Sequence, residues 1–193
     1  MRLADKFTMV RIIFAPLFFI FYMIAAYLDR YALPILAALA AALVLAELTD
    51  WLDGSTARKL NQVSDTGKIL DPFADAFLHI TIFFCFTVTR DVPAPIFILI
   101  FYREFGMLFL RLQATRKGRD IAARMGGKFK TVLYITTCFW ILAVKIYRYT
   151  SFILPQDYVL YTIKVVLFTI CVIAAYLSFF EYLYQWVSKA PKK

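Results

Sequence analysis

An all-α polytopic membrane protein with six transmembrane helices and a short N-terminal interfacial helix is the fold class this sequence predicts, on three observations. Hydrophobic residues make up 62% of the chain and charged residues only 18%, where a soluble domain would have roughly half and a quarter. Several apolar runs reach about 20 residues, enough to cross a hydrocarbon core of about 30 Å. The remaining charges collect between those runs more than within them.

Taken in order, residues 2–8 are mixed polar and apolar and predict a short helix lying on the membrane. Span one covers Met9 to Leu28, with a kink expected at Pro16, and Asp29-Arg30 makes a tight exit. Span two, Leu33 to Ala57, begins rich in Ala and Leu, which favours close helix packing, and carries Glu47, Asp50 and Asp53 towards its far end. A polar connection from Lys59 to Gly67 precedes span three, Leu70 to Thr89. Arg90-Asp91 with Pro93 and Pro95 breaks the chain before span four, Ile96 to Ala114. Thr115 to Lys130 is the longest polar stretch. Span five follows from Thr131 to Tyr147, and span six, Tyr158 to Val187, is long enough to tilt or protrude. No internal repeat or composition break divides the chain, so 1–193 reads as one membrane domain.

Asp5 sits where a signal peptide would be basic, and no convincing cleavage site follows; the first run is expected to stay as a span. Cys85, Cys138 and Cys171 fall inside apolar runs and read as small buried hydrophobes. The net charge of +9 is read as attraction to an anionic lipid membrane and not to nucleic acid, because no soluble segment remains to carry such a surface. Lys and Arg gather at both termini, after span two and after span four. The other side is marked mainly by Arg30, Arg90, Lys145 and Arg148. The positive-inside rule then puts both termini, and the loop after span two, in the cytoplasm.

Four aspartates flank that loop. Asp50 and Asp53 are three apart on one helix and Asp71 and Asp75 four apart on the next, so each pair shares a face. The short connection predicts antiparallel neighbours with the two pairs facing across one cleft. Carboxylates at a membrane edge need a partner, and four together call for hard divalent cations, Mg²⁺ or Mn²⁺. Gly54 and Ala57 clear space beside them, Arg58 is placed to meet a phosphate, and Gly67 permits the turn into the next helix.

The pattern Asp50-x₂-Asp53-Gly54-x₂-Ala57-Arg58-x₈-Gly67-x₃-Asp71-x₃-Asp75 resembles the signature of the CDP-alcohol phosphatidyltransferase family at every fixed position. The segments TDWLDG, ARKLNQVSDTGKILDPFAD, YREFGMLFLR and GGKFKT are most like its phosphatidylglycerophosphate synthase branch. The resemblance implies a homodimeric enzyme of the bacterial inner membrane, with its active site on the cytoplasmic side and two divalent cations. It implies transfer of the phosphatidyl group of CDP-diacylglycerol to glycerol 3-phosphate, with release of CMP. By the same likeness Asp50, Asp53, Asp71 and Asp75 are metal ligands and Asp75 is also the general base. Asp53, Gly54, Ala57, Arg58 and Gly67 bind CDP. Thr8 and Arg11 join them, matching an N-terminal Asn-x₂-Thr-x₂-Arg segment in which Asp5 stands for the Asn.

A phosphorylated acceptor needs cations beside the metals, and Arg111, Lys128, Lys130 and Arg103 are the candidates. Against that role, Arg103 next to Glu104 also reads as a buried ion pair. Ala76 stands where the branch has Lys, which leaves inositol phosphate, serine and phosphatidylglycerol open as acceptors. His79 reads as a hydrogen-bonded packing residue before a metal ligand, Asp65 as solvated or a helix cap, and Glu47 as the partner of a cation on another helix. Two other classes fit the pattern less well. A divalent-cation transporter would place its acids at mid-membrane, and an intramembrane prenyltransferase would carry two aspartate clusters.

Overall fold

A computed structural model describes residues 3–59, 67–117, 125–150 and 157–188, with the side chains of 3–7, 50–59, 67–69, 125, 126, 128 and 157 outside the description. Six helices account for nearly all of it: α1 (Leu3–Tyr27), α2 (Asp29–Lys59), α3 (Gly67–Val88), α4 (Ala94–Arg116), α5 (Met125–Thr150) and α6 (Asp157–Ser188). Helices are what apolar runs of this length must form, because hydrocarbon offers no partner for an open N–H or C=O.

Residues 3–8 are the first turns of α1 and not a separate interfacial helix; no glycine or proline interrupts them. Pro16 lies within an unbroken α1. Leu28 alone separates α1 from α2, so α2 begins four residues before the expected Leu33, with Asp29 in its first turn, where an acid suits the helix dipole. Five helices are long and apolar enough to cross a membrane: α1, α2, α3, α5 and α6. The exception is α4, because every 18-residue stretch of it contains Arg103, Glu104 and Arg111. At 32 residues, α6 is about 48 Å long and exceeds the hydrocarbon core.

Among the described residues the helices pack as a closed ring in the order α1, α3, α4, α6, α5, α2, with α3 also touching α5 across the middle. The centre is aromatic. Phe83 of α3 meets Tyr134 of α5 edge to face at 5.0 Å and Phe168 of α6 at 5.1 Å. Cys85, Cys138 and Cys171 are buried free thiols. Gly106 lets α4 approach α6, since a Cβ there would stand 3.2 Å from the Phe179 ring.

Over their described lengths α2 and α3 are not the direct neighbours expected: they share no backbone contact and lie diagonally, with α1 against both. The seven-residue connection 60–66 allows it, since a chain reaches about 3.3 Å per residue and adjacent helix axes lie about 8–10 Å apart.

One end of the ring is clamped. α3 finishes in a Schellman turn: Asp91 N–H donates to the Phe86 carbonyl at 2.8 Å and Arg90 N–H to Thr87 at 3.0 Å, with Arg90 at φ 60°. The turn aims Asp91 inward, where Lys145 of α5 (2.6 Å), Lys164 of α6 (2.8 Å) and the Thr89 hydroxyl (2.7 Å) converge on its carboxylate. Thr89 also bonds the Tyr22 hydroxyl of α1 at 3.0 Å. Burial alone would raise the Asp91 carboxyl, but the two ammonium groups and Thr89 hold it below the usual range.

Candidate active site

The opposite end of the ring gathers the polar residues singled out in the sequence. Thr8 and Arg11 lie three apart on α1, Asp71 and Asp75 four apart on α3, and each pair shares a face. α1 and α3 run parallel there, so the pairs meet as two rungs. The Thr8 hydroxyl donates to Asp71 Oδ1, and Arg11 Nη1 donates to Asp75 Oδ1. Thr8 is buried and the Arg11 side chain is 8% exposed, whereas that of Asp75 is 42% exposed. The carboxylate is thus fixed from behind and open in front.

Beneath it, His79 bridges the diagonal. Its Nδ1 lies 2.8 Å from the Asp75 carbonyl, which can only accept, so Nδ1 carries the hydrogen. Nε2 then faces Glu47 Oε1 of α2 at 3.7 Å, beyond hydrogen-bond length, and has no hydrogen-bond partner. The ring packs 5.9 Å from Tyr134 and 6.4 Å from Phe83. His79 is the bonded packing residue its position in span three predicts.

Behind Tyr134 lies a cation cluster. Glu104 Oε1 accepts from Arg103 Nη1 and Lys130 Nζ, both at 2.9 Å, and from the Tyr134 hydroxyl at 3.0 Å. Arg103 also donates to the Ala175 carbonyl at 2.9 Å and to Ser178 at 3.2 Å. The ion pair weighed against a substrate role for Arg103 is therefore present. Arg111 lies over the Tyr182 ring at 6.0 Å, and its buried Nε has no hydrogen-bond partner. Glu104, Tyr134 and Ser178 escaped the sequence reading as functional residues. They come from three helices, so no spacing joins them; the only signal was an acid inside a span beside an arginine.

α2 continues as helix to Lys59, so the backbone of Asp50, Asp53, Gly54, Ala57 and Arg58 occupies its last turns, and Gly67 opens α3. The side chains of these residues, and that of Lys128, lie outside the described residues, as does Asp65. Among the described residues no three acids, histidines or cysteines cluster as a complete metal site. Asp71 and Asp75 contribute hard carboxylate oxygens at the mouth of the cleft, a donor type that suits Mg²⁺ or Mn²⁺; the two further carboxylates would have to come from α2.

A family model described as CDP-alcohol phosphatidyltransferase matches residues 1–177. A Treponema pallidum protein named CDP-diacylglycerol--glycerol-3-phosphate 3-phosphatidyltransferase is 34% identical over 95% of this chain and 88% of its own length. Two proteins of the same name align as well. The one from Bacillus subtilis is 38% identical over 67% of this chain and 70% of its own length. The one from Wigglesworthia glossinidia brevipalpis is 30% identical over 92% and 90%. The match takes in the α1–α3 rungs, the α2 aspartates and the Glu104 cluster together, and the chain belongs to the CDP-alcohol phosphatidyltransferase family.

Proposed function

We propose that this protein transfers the phosphatidyl group of CDP-diacylglycerol to glycerol 3-phosphate, forming phosphatidylglycerophosphate and releasing CMP. The observation that carries the reading is the near full-length likeness to relatives named for that reaction. The geometry agrees with it: an accessible carboxylate and a cluster of cations lie at one end of the ring, joined through His79 and Tyr134.

In this reading the acceptor hydroxyl attacks the phosphorus that carries the diacylglycerol. The new O–P bond forms, the bond to CMP breaks, and the hydroxyl proton passes to the Asp75 carboxylate. Arg11 holds Asp75 in place from its buried side, and Thr8 does the same for Asp71. Asp53, Gly54, Ala57, Arg58 and Gly67 line the CDP pocket, with small residues admitting the nucleotide and Arg58 meeting its diphosphate. Lys130, Arg111 and Lys128 receive the acceptor phosphate. Two divalent cations bound by Asp50, Asp53, Asp71 and Asp75 would neutralise charge on the diphosphate.

The same reading places the protein in the cytoplasmic membrane of a bacterial cell with six spans, α4 among them. Its active end and both termini face the cytoplasm, and it works as a homodimer; basic termini and the family likeness support this.

An acceptor panel tests the function. Purified protein in mixed micelles with radiolabelled CDP-diacylglycerol is offered glycerol 3-phosphate, inositol 1-phosphate, serine and phosphatidylglycerol. Labelled phosphatidylglycerophosphate should form from the first. Turnover confined to any of the others would overturn the acceptor.

A further inference from the structure

The two cations on Glu104 are not held alike. Arg103 has all three nitrogens engaged, on Glu104, the Ala175 carbonyl and Ser178, and its side chain is 3% exposed. It ties α4 to α6, and at that exposure it offers a ligand almost no surface. Lys130 makes one such bond, lies over the Tyr134 ring at 4.5 Å, and its side chain is 13% exposed. An ammonium has three N–H donors, so two remain beyond the bond to Glu104.

Charge counting gives the cluster a ligand. Among the described residues bonded in the cluster, Arg103 and Lys130 against the Glu104 carboxylate leave one surplus positive charge. Arg111, near enough to act on Lys130, adds a second, with a buried Nε that lacks a partner. Surplus charge away from water calls for an anion, and a phosphate monoester carries nearly two negative charges at neutral pH.

We infer that Glu104 is the positioning residue of the acceptor-phosphate pocket: it locks Arg103 into the scaffold and, through one bond, presents Lys130 so that its remaining donors meet the phosphate. The inference rests on the proposed reading of glycerol 3-phosphate as acceptor. Tyr134 fixes the Glu104 carboxylate by its hydroxyl and packs against His79, which bonds the Asp75 carbonyl. The phosphate pocket and the general base are thereby held at a set separation.

The test is a double-mutant cycle read on Michaelis constants for CMP release. Glu104→Gln keeps the volume and an accepting oxygen but removes the charge that gathers both cations. KM for glycerol 3-phosphate should rise about fivefold or more, with KM for CDP-diacylglycerol changed by less than about twofold. In a Lys130→Met background the same substitution should change acceptor KM by less than about twofold, because the cation through which Glu104 acts is gone. A fall in acceptor KM would mean that Glu104 merely repels phosphate. Equal effects on both substrates, or in both backgrounds, would mean a purely structural carboxylate. Any of these overturns the inference.

Should Glu104→Gln fail to accumulate in membranes, Tyr134→Phe removes only the hydroxyl donor. It should raise acceptor KM about two- to threefold, again cancelled by Lys130→Met; no change there also overturns the inference. Wild-type protein that ignores glycerol 3-phosphate would bring down the acceptor reading and the inference together. Turnover of glycerol 3-phosphate with unselective variants removes the inference alone.

Discussion

Arg11 of α1 and Asp75 of α3 form an ion pair whose members differ in exposure, 8% for the arginine side chain and 42% for the carboxylate. In the proposed reaction the buried member orients and the exposed member reacts, so the ion pair would give Asp75 a fixed bearing without closing it to substrate. Thr8 and Asp71 repeat the arrangement one turn away.

Asp75→Asn keeps the shape of the side chain but cannot take a proton. CMP release should fall by about 10²–10⁴-fold, the usual worth of a general base, while CDP-diacylglycerol binding stays measurable by equilibrium titration. Near-normal turnover would remove Asp75 from that role.

Chelation addresses the proposed cations. Treatment with EDTA should abolish turnover, and titration with Mg²⁺ or Mn²⁺ should restore it. Asp71→Asn should shift the half-restoring metal concentration upward by about tenfold or more, as loss of one charged ligand predicts. Full activity in excess chelator would contradict a metal-assisted reaction.

The Asp91 clamp predicts a pH dependence of stability. Burial opposes the charged carboxylate, yet Lys145, Lys164 and Thr89 hold it below the usual range, so the folded value lies under the unfolded one, near ~3.9. The stabilisation is then complete above that value and is lost as pH falls through the folded one. Thermal unfolding in detergent should therefore weaken progressively below about pH 4. Asp91→Asn should blunt that loss and cost about 3–5 kcal/mol at neutral pH by leaving two ammonium groups without their counter-charge. An Asp91→Asn variant as stable as the parent would refute the clamp.

Arg90 occupies the left-handed position of the Schellman turn with an exposed side chain that makes no hydrogen bond or ion pair among the described residues. Arg90→Gly should stabilise the protein by about 1 kcal/mol, the penalty an L-residue bears at that φ. Denaturation in mild detergent measures it, and a loss of stability would show that the Arg90 side chain makes a contact of its own.

The helices were legible from apolar run lengths, because a membrane leaves the backbone no other choice. The rungs were half legible: spacing put Asp71 with Asp75 on one face and the family likeness singled out Thr8 and Arg11, but neither put α1 against α3. Packing order depends on which surfaces fit, and small residues such as Ala15, Ala25 and Ala32, all buried, carry no periodic mark of their partner. This also hid the diagonal placement of α2 and α3. Asp91 read as part of a loop break and Lys145 as a loop charge, because each has meaning only through the other and through Lys164, buried well inside α6. Glu104 was hidden for the same reason, its donors arriving from α5 as well as from its own helix.

The ring order has a consequence for how the protein is made. α1 precedes α3 in synthesis, so the bonds of Thr8 and Arg11 to Asp71 and Asp75 form when α3 follows. Asp91 must wait longer, for Lys145 of α5 and then Lys164 of α6, and Arg103 gains its last two acceptors from α6 as well. A chain halted before α6 would leave Asp91 with one of its two ammonium partners and Arg103 without the Ala175 and Ser178 acceptors. The last of the six described helices is thus the one that completes the bonding at both ends of the ring.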